Sequence, residues 1–377
     1  MSAVRFTPSV ITAHVLFALL LLSLPPKWAS LHLSGGLLVL TLLLARRADW
    51  HSPALRGFAL TGAWWLVPVT LAGIGQQLLG LESASSWGDL IKLNLRLLGV
   101  GLGILLLLER RWLTLRGATL IALAVIAVTA LSGYVDWAMR HGVDPRAWPH
   151  LYLTGLAGNP NVYGTFAALG LVLSAGLLRL RPRNPVLWLL VPFMLAALWG
   201  SDSRGGWLVG LSGLLVLYWP LRHRLLAGLI VLAGGLLYVY VIGGGVPDEM
   251  LGSSDRLRVE AALFSLQRIA ESPLLGWGID AFRDLPGANL SSSHNMLLDL
   301  ALGGGLLTLA GWLWSTGRLA LALERDGRWP TRIMLALLAT ATLAGCLEYP
   351  LLNSNHFVGI WMLVTGFSWW VLRDGQQ

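Results

Sequence analysis

SSSHNMLLDLALGGG, residues 291–305, is where a long polar loop gives way to an apolar helix that begins at His294. Apolar runs of the same kind recur along the whole chain. Of the 377 residues, 55% are apolar and only 12% charged, and the mean hydropathy is +0.67. Those values lie far outside the soluble range and fit many spanning helices. At about twenty apolar residues for each crossing of roughly 30 Å of hydrocarbon, the sequence predicts an all-α polytopic membrane protein with about twelve transmembrane helices. They are expected near 7–24, 29–45, 57–78, 90–108, 117–136, 160–180, 185–200, 205–220, 225–243, 295–316, 331–347 and 355–372, in one integral membrane domain over 1–377. The seventh and eighth are short, either little tilted or a broken hairpin. The first run has the look of a signal peptide, but no small-residue cleavage site follows it, so it reads as the first span.

The charges set an orientation. The formal charge of +8 comes from arginines in short clusters between apolar runs, a distribution that orients a membrane protein and argues against nucleic-acid binding. Clusters at Arg46, Arg47 and Arg56, at Arg110, Arg111 and Arg116, at Arg179, Arg181 and Arg183, at Arg222 and Arg224, and at Arg318, Arg325, Arg328 and Arg332 each follow an even-numbered span. Those ends are expected in the cytoplasm, and Arg5 and Arg373 place both termini there too. The long loop 244–293 is then external. From Val259, the residues Ala262, Leu263, Leu266, Ile269 and Ala270 recur at helical spacing, predicting a helix along the membrane surface that Pro273 ends. The single cysteine, Cys346, lies inside an apolar run, which excludes an intramolecular disulfide and a thiolate metal cluster.

With this topology the unusual polar residues collect on the external side. GNPN (158–161) opens the sixth span, SDSRGG (201–206) is the turn before the eighth, Arg256 and Arg258 begin the loop helix, and His294 begins the tenth span. Arginines that escape the positive-inside bias need another reason for their position, and an anionic headgroup or phosphate supplies one. Each residue also has a plainer reading. Arg204 either snorkels to the interface or, beside two glycines, binds a ligand, and binding is the better reading. Arg256 and Arg258 are equivalent on spacing. His294 alone reads more readily as a capping or interface histidine than as a catalyst. Asn159 and Asn161 flank Pro160 as good turn and helix-start residues. Lys92 and Arg96, one turn apart, either extend the cationic surface or anchor their helix. Glu348, Asn353 and His356 are weaker candidates.

The order of GNPN, an external SRGG turn, an arginine fifteen residues before PLLGWG, and SHN ahead of a glycine-rich span resembles the O-antigen ligase and O-antigen polymerase family of membrane glycosyltransferases. The likeness covers roughly 158–316, and the twelve-span layout extends it over the chain. It implies a bacterial inner membrane location and a periplasmic active site that uses neither nucleotide, metal nor cofactor. The implied donor is an undecaprenyl-diphosphate-linked glycan, and the implied acceptor is lipid A core or a second glycan. His294 matches the catalytic histidine, and Arg204 and Arg258 match the arginines that hold the donor diphosphate, the fifteen-residue spacing favouring Arg258 over Arg256. Arg256, Lys92, Arg96 and Asn161 are possible additional contacts. Asp299 departs from the family pattern, where a neutral residue is commoner. The resemblance implies an inverting transferase in lipopolysaccharide biosynthesis, a ligase ahead of a polymerase. A lipid-linked glycan transporter is the competing class, and it predicts charges at mid-membrane and repeated halves, which this sequence lacks.

Overall fold

The computed structural model describes residues 7–25, 30–44, 49–80, 86–142, 151–219, 253–279, 281–285, 292–349, 351–352 and 355–374. All regular structure among them is helical. The helices are α1 (Pro8–Ser23), α2 (Ser30–Leu44), α3 (Pro53–Leu78), α4 (Trp87–Glu109), α5 (Leu115–His141), α6 (Pro160–Leu180) and α7 (Pro185–Gly200). They continue with α8 (Arg204–Tyr218), α9 (Ser253–Glu271), α10 (Ala281–Asp284), α11 (Met296–Asp326), α12 (Trp329–Leu347) and α13 (Asn355–Asp374). Six of these, α3, α4, α5, α6, α11 and α12, are long and apolar enough to cross a membrane, while α1, α7 and α8 are shorter apolar helices. The chain is therefore a helical membrane protein. Helices stand at eleven of the twelve expected spans; the ninth, 225–243, and the start of the long loop at 244–252 lie outside the described residues.

Local sequence explains where the helices begin. Asn159 accepts hydrogen bonds from the backbone N–H groups of Asn161 and Val162 and is followed by Pro160, and Asn184 accepts from Val186 N ahead of Pro185. Ser203 caps α8 through Gly206 N, and Asn295 caps α11 through Leu297 N and Leu298 N. Each cap satisfies donors that the first helical turn leaves open, and proline costs nothing at the first helical position. The predicted seventh and eighth spans are two separate helices joined by the turn at 201–203. Both pack on α6, which is buried over most of its length and forms the centre of its half of the bundle. On the other side, Trp65 of α3, Trp312 of α11 and Trp361 of α13 interlock, with ring centroids 6.0 Å and 5.8 Å apart.

α11 is not the simple span that its sequence predicts. It runs to Asp326, past the expected end at 316, and it is broken at Gly305, where φ is 76°. The break is filled by the PLLGWG segment that follows α9. Trp277 N donates to Leu302 O (2.6 Å), Gly278 N to Gly303 O (3.0 Å), and Leu306 N to Pro273 O (2.8 Å). The fully buried Gln76 of α3 donates its side-chain amide to Leu275 O at 2.8 Å. Non-helical backbone at membrane depth is tolerated only when protein satisfies it in this way. A Cβ at residue 305 would stand 1.9 Å from Leu274 O, so only glycine fits.

α9 starts at Ser253, earlier than predicted, and it packs on α11. Val259 and Ile269 are buried as expected, but Leu263 and Leu266 are 48% and 53% exposed. Ala261 and Ile269 share a core cluster with Ala301 and Leu302 of α11, Ser265 is also buried, and the leucines face outward.

Candidate functional site

The site is centred on Glu348, the residue immediately after α12. It is only 8% exposed, yet three separate segments of the chain reach it. Its Oε1 accepts from Arg258 Nη2 of α9 at 2.8 Å, and its Oε2 accepts from Asn161 Nδ2 of α6 at 3.0 Å. Asn161 Oδ1 in turn accepts from Ser203 Oγ at 3.0 Å, and Ser203 caps the helix that begins with Arg204. The Arg204 guanidinium is exposed at the rim but close enough to lower the pKa of Glu348. This approach is possible because α6 and the start of α8 meet at glycines, a Cβ on Gly206 falling 3.2 Å from Gly164 Cα. Burial is the largest influence on the Glu348 carboxyl and raises its pKa; Arg258, Asn161 and Arg204 all pull it back down.

His294 completes the arrangement from a strained turn. Its φ is 49°, in the left-handed region that non-glycine residues seldom occupy. The conformation is held from both sides. His294 N donates to Ser292 Oγ (3.4 Å), Ser293 Oγ to Asn295 O (2.9 Å), and Asn295 Nδ2 to Cys346 O at the end of α12 (2.8 Å). The turn thus places the imidazole against the Glu348 backbone. Burial, and then the Arg258 charge, lower its pKa below the ordinary histidine value, while the Glu348 backbone acts the other way by hydrogen-bonding the charged ring. The ring is consequently neutral at ambient pH. Its Nδ1 is buried without a hydrogen-bond partner, an uncommon condition for a polar atom and one that an incoming donor would relieve.

The residues singled out by sequence divide cleanly. Arg204, Arg258, Asn161 and His294 come together around Glu348. Arg256 does not: it is 56% exposed and bonds Glu260 at 3.2 Å along the outer face of α9. Lys92 pairs with Asp89 at 3.2 Å near the start of α4, and Arg96 follows one turn along the same helix, half-buried. Asn159 is a helix cap, as its place before Pro160 predicts, whereas Asn161 has turned into the cluster. Asp299 serves the fold rather than the site, because its Oδ2 accepts from Leu352 N at 2.6 Å and ties down the turn between α12 and α13. Asn353 and the His356 side chain lie outside the described residues. Glu348 is the residue whose weight the sequence understated. Its signal was a carboxylate directly after an apolar helix, an expensive position unless cations come to meet it.

Chemically, one guanidinium is paired with a buried carboxylate, a second lies within electrostatic reach of it, and an imidazole with a lowered pKa stands beside them. The planar guanidinium forks suit a phosphate, and the imidazole can take a proton. No group of three or more His, Cys, Asp or Glu side chains that could hold a metal ion occurs among the described residues. No protein-family model matches the chain and no curated protein matches it, so its reading rests on the geometry above.

Proposed function

We propose that this chain is an inverting, O-antigen ligase-type membrane glycosyltransferase that moves a glycan from undecaprenyl diphosphate to an acceptor hydroxyl, with lipid A core as the preferred acceptor. The observation that carries the proposal is His294: a neutral imidazole with an unpartnered buried Nδ1, held in a strained turn beside Arg204 and Arg258. In the reaction the acceptor oxygen bonds to the sugar C1 from the face opposite the diphosphate, and its proton passes to His294. The bond between C1 and the diphosphate oxygen breaks as this happens. Arg258 and Arg204 stabilise the charge that grows on the departing diphosphate. Glu348 and Asn161 act as positioning residues, since their hydrogen bonds fix where the Arg258 fork points. The glycosyl diphosphate is already activated, so no ATP is needed.

The proposal includes twelve spans, cytoplasmic termini, the 244–293 loop in the periplasm with α9 along the membrane surface, and the site opening to the periplasm of a bacterial inner membrane. It is supported by the clustering of arginines at the opposite helix ends, as the positive-inside rule requires. A polymerase would use the same donor and the same residues with a second lipid-linked glycan as acceptor. Purified protein given lipid-linked glycan and lipid A core separates the readings. Glycan on lipid A core supports the ligase, chain lengthening replaces it with the polymerase, and no covalent transfer overturns the enzyme assignment.

A further inference from the structure

Away from the polar cluster, α3 and α11 border an open groove of about 730 Å³ on the outer surface of the bundle. Leu60, Trp64, Pro68, Leu307 and Trp314 line it, and Arg318 stands at one end. The groove follows from the packing of the two helices. Pro68 has no N–H to offer the carbonyl of Trp64 four residues earlier. Gly311 brings α11 so close to that carbonyl that a Cβ there would lie 1.9 Å from the oxygen. The helices touch at this point, the small side chains of Ala63 and Ala310 leave the surface hollow beside it, and the half-exposed Trp64 and Trp314 wall the hollow.

The lining changes character along its length. The walls are apolar, and at the end the Arg318 guanidinium lies 6.0 Å from the centre of the Trp314 ring. No carboxylate among the described residues pairs with Arg318. From Leu307 to Arg318 α11 is unbroken, and eleven residues at 1.5 Å each extend about 16 Å, close to half of a roughly 30 Å hydrocarbon layer. A cation with an aromatic partner at one end, and one leaflet's depth of dry surface beyond it, match a lipid with a negative headgroup.

We propose that this groove binds one anionic phospholipid of the leaflet at the arginine-rich end of the bundle, with its phosphate on Arg318 and an acyl chain along Trp64, Pro68 and Leu307. The site is separate from the Glu348 cluster and does not depend on the function proposed for it. Native mass spectrometry of the full chain, titrated with phosphatidylglycerol and with phosphatidylethanolamine of the same acyl chains, tests it. Phosphatidylglycerol is expected to bind about fivefold more tightly, the effect of one arginine on an anionic headgroup. Arg318→Gln should remove that preference. Ala310→Phe, a change at an exposed position, should weaken both lipids by filling the groove. Equal binding of the two lipids, a preference that survives Arg318→Gln, or a two-copy species that excludes lipid would each overturn the proposal.

Discussion

Two groups of arginines, one at each end of the helix bundle, are held differently. At the end where α4, α11 and α13 finish, three arginines are matched one to one: Arg110 with Asp49, Arg328 with Asp326, and Arg373 with Glu109, which also accepts from Ser52. Each pair joins neighbouring helix ends or ties off one turn. At the other end Arg258 pairs with the buried carboxylate of Glu348, whose pKa Arg204 also lowers, beside an imidazole whose pKa burial and Arg258 lower. Matched pairs of this kind tie structural elements together, and the Arg110 and Arg373 pairs are largely shielded from solvent. A buried carboxylate that answers to more than one cation is less common, and perturbed groups of this kind gather at functional sites.

Mutations can break this contrast, the largest effect first. Arg258→Lys, which replaces a planar fork by a point charge, should cut transfer about 100-fold, the scale of losing one preorganised donor. An unimpaired variant in a radiolabelled-glycan assay would remove Arg258 from the site. If Arg256→Lys were the damaging change, the register of α9 would be wrong, since Arg256 is bonded along its outer face. Glu348→Gln keeps the shape and the Asn161 contact but withdraws the charge from Arg258, and about a tenfold loss in kcat is expected from the misplaced fork. The same assay on Asp49→Asn at the matched end should show near-normal transfer per folded molecule, with a lowered melting temperature because one charge is withdrawn from a part-buried pair. Transfer lost equally in both variants would erase the distinction between the ends.

The acid limb of the pH profile sharpens the comparison further. Burial and Arg258 lower the pKa of His294, so the neutral, active form persists below the ordinary histidine value of about 6.5, and the rate should fall only in more acid solution. Removing the neighbouring charge by Arg258→Gln should raise that pKa and move the limb of the residual activity upward in pH. A limb that stays put or moves down contradicts the placement of the two groups.

Much of this was legible in the sequence, because hydropathy over twenty residues and caps such as Asn159–Pro160 act locally. The gathering of Asn161, Arg204, Arg258 and His294 at one end followed from topology alone, since alternating spans leave few places for polar residues to go. The break at Gly305 was hidden, because its cause is a segment about thirty residues earlier, PLLGWG, whose backbone replaces the missing helical bonds. Spacing within the helix left Arg256 and Arg258 equivalent, and only the family resemblance favoured Arg258. Two residues on a helix differ by about 200°, so the packing of α9 on α11, through Ala261 and Ile269, decides which arginine faces inward. Glu348 was undervalued for the same reason: its partners come from α6, α8 and α9, and no window of sequence contains them.

The most direct measurement of the central claim is release of undecaprenyl diphosphate by purified protein supplied with lipid-linked glycan and lipid A core, comparing the natural chain with His294→Ala. The account predicts release matched by glycan appearing on the acceptor, and a loss of about 100- to 10,000-fold in the variant, the range of general-base catalysis, with detergent-solubilised folding unchanged. Natural rates from His294→Ala would contradict it.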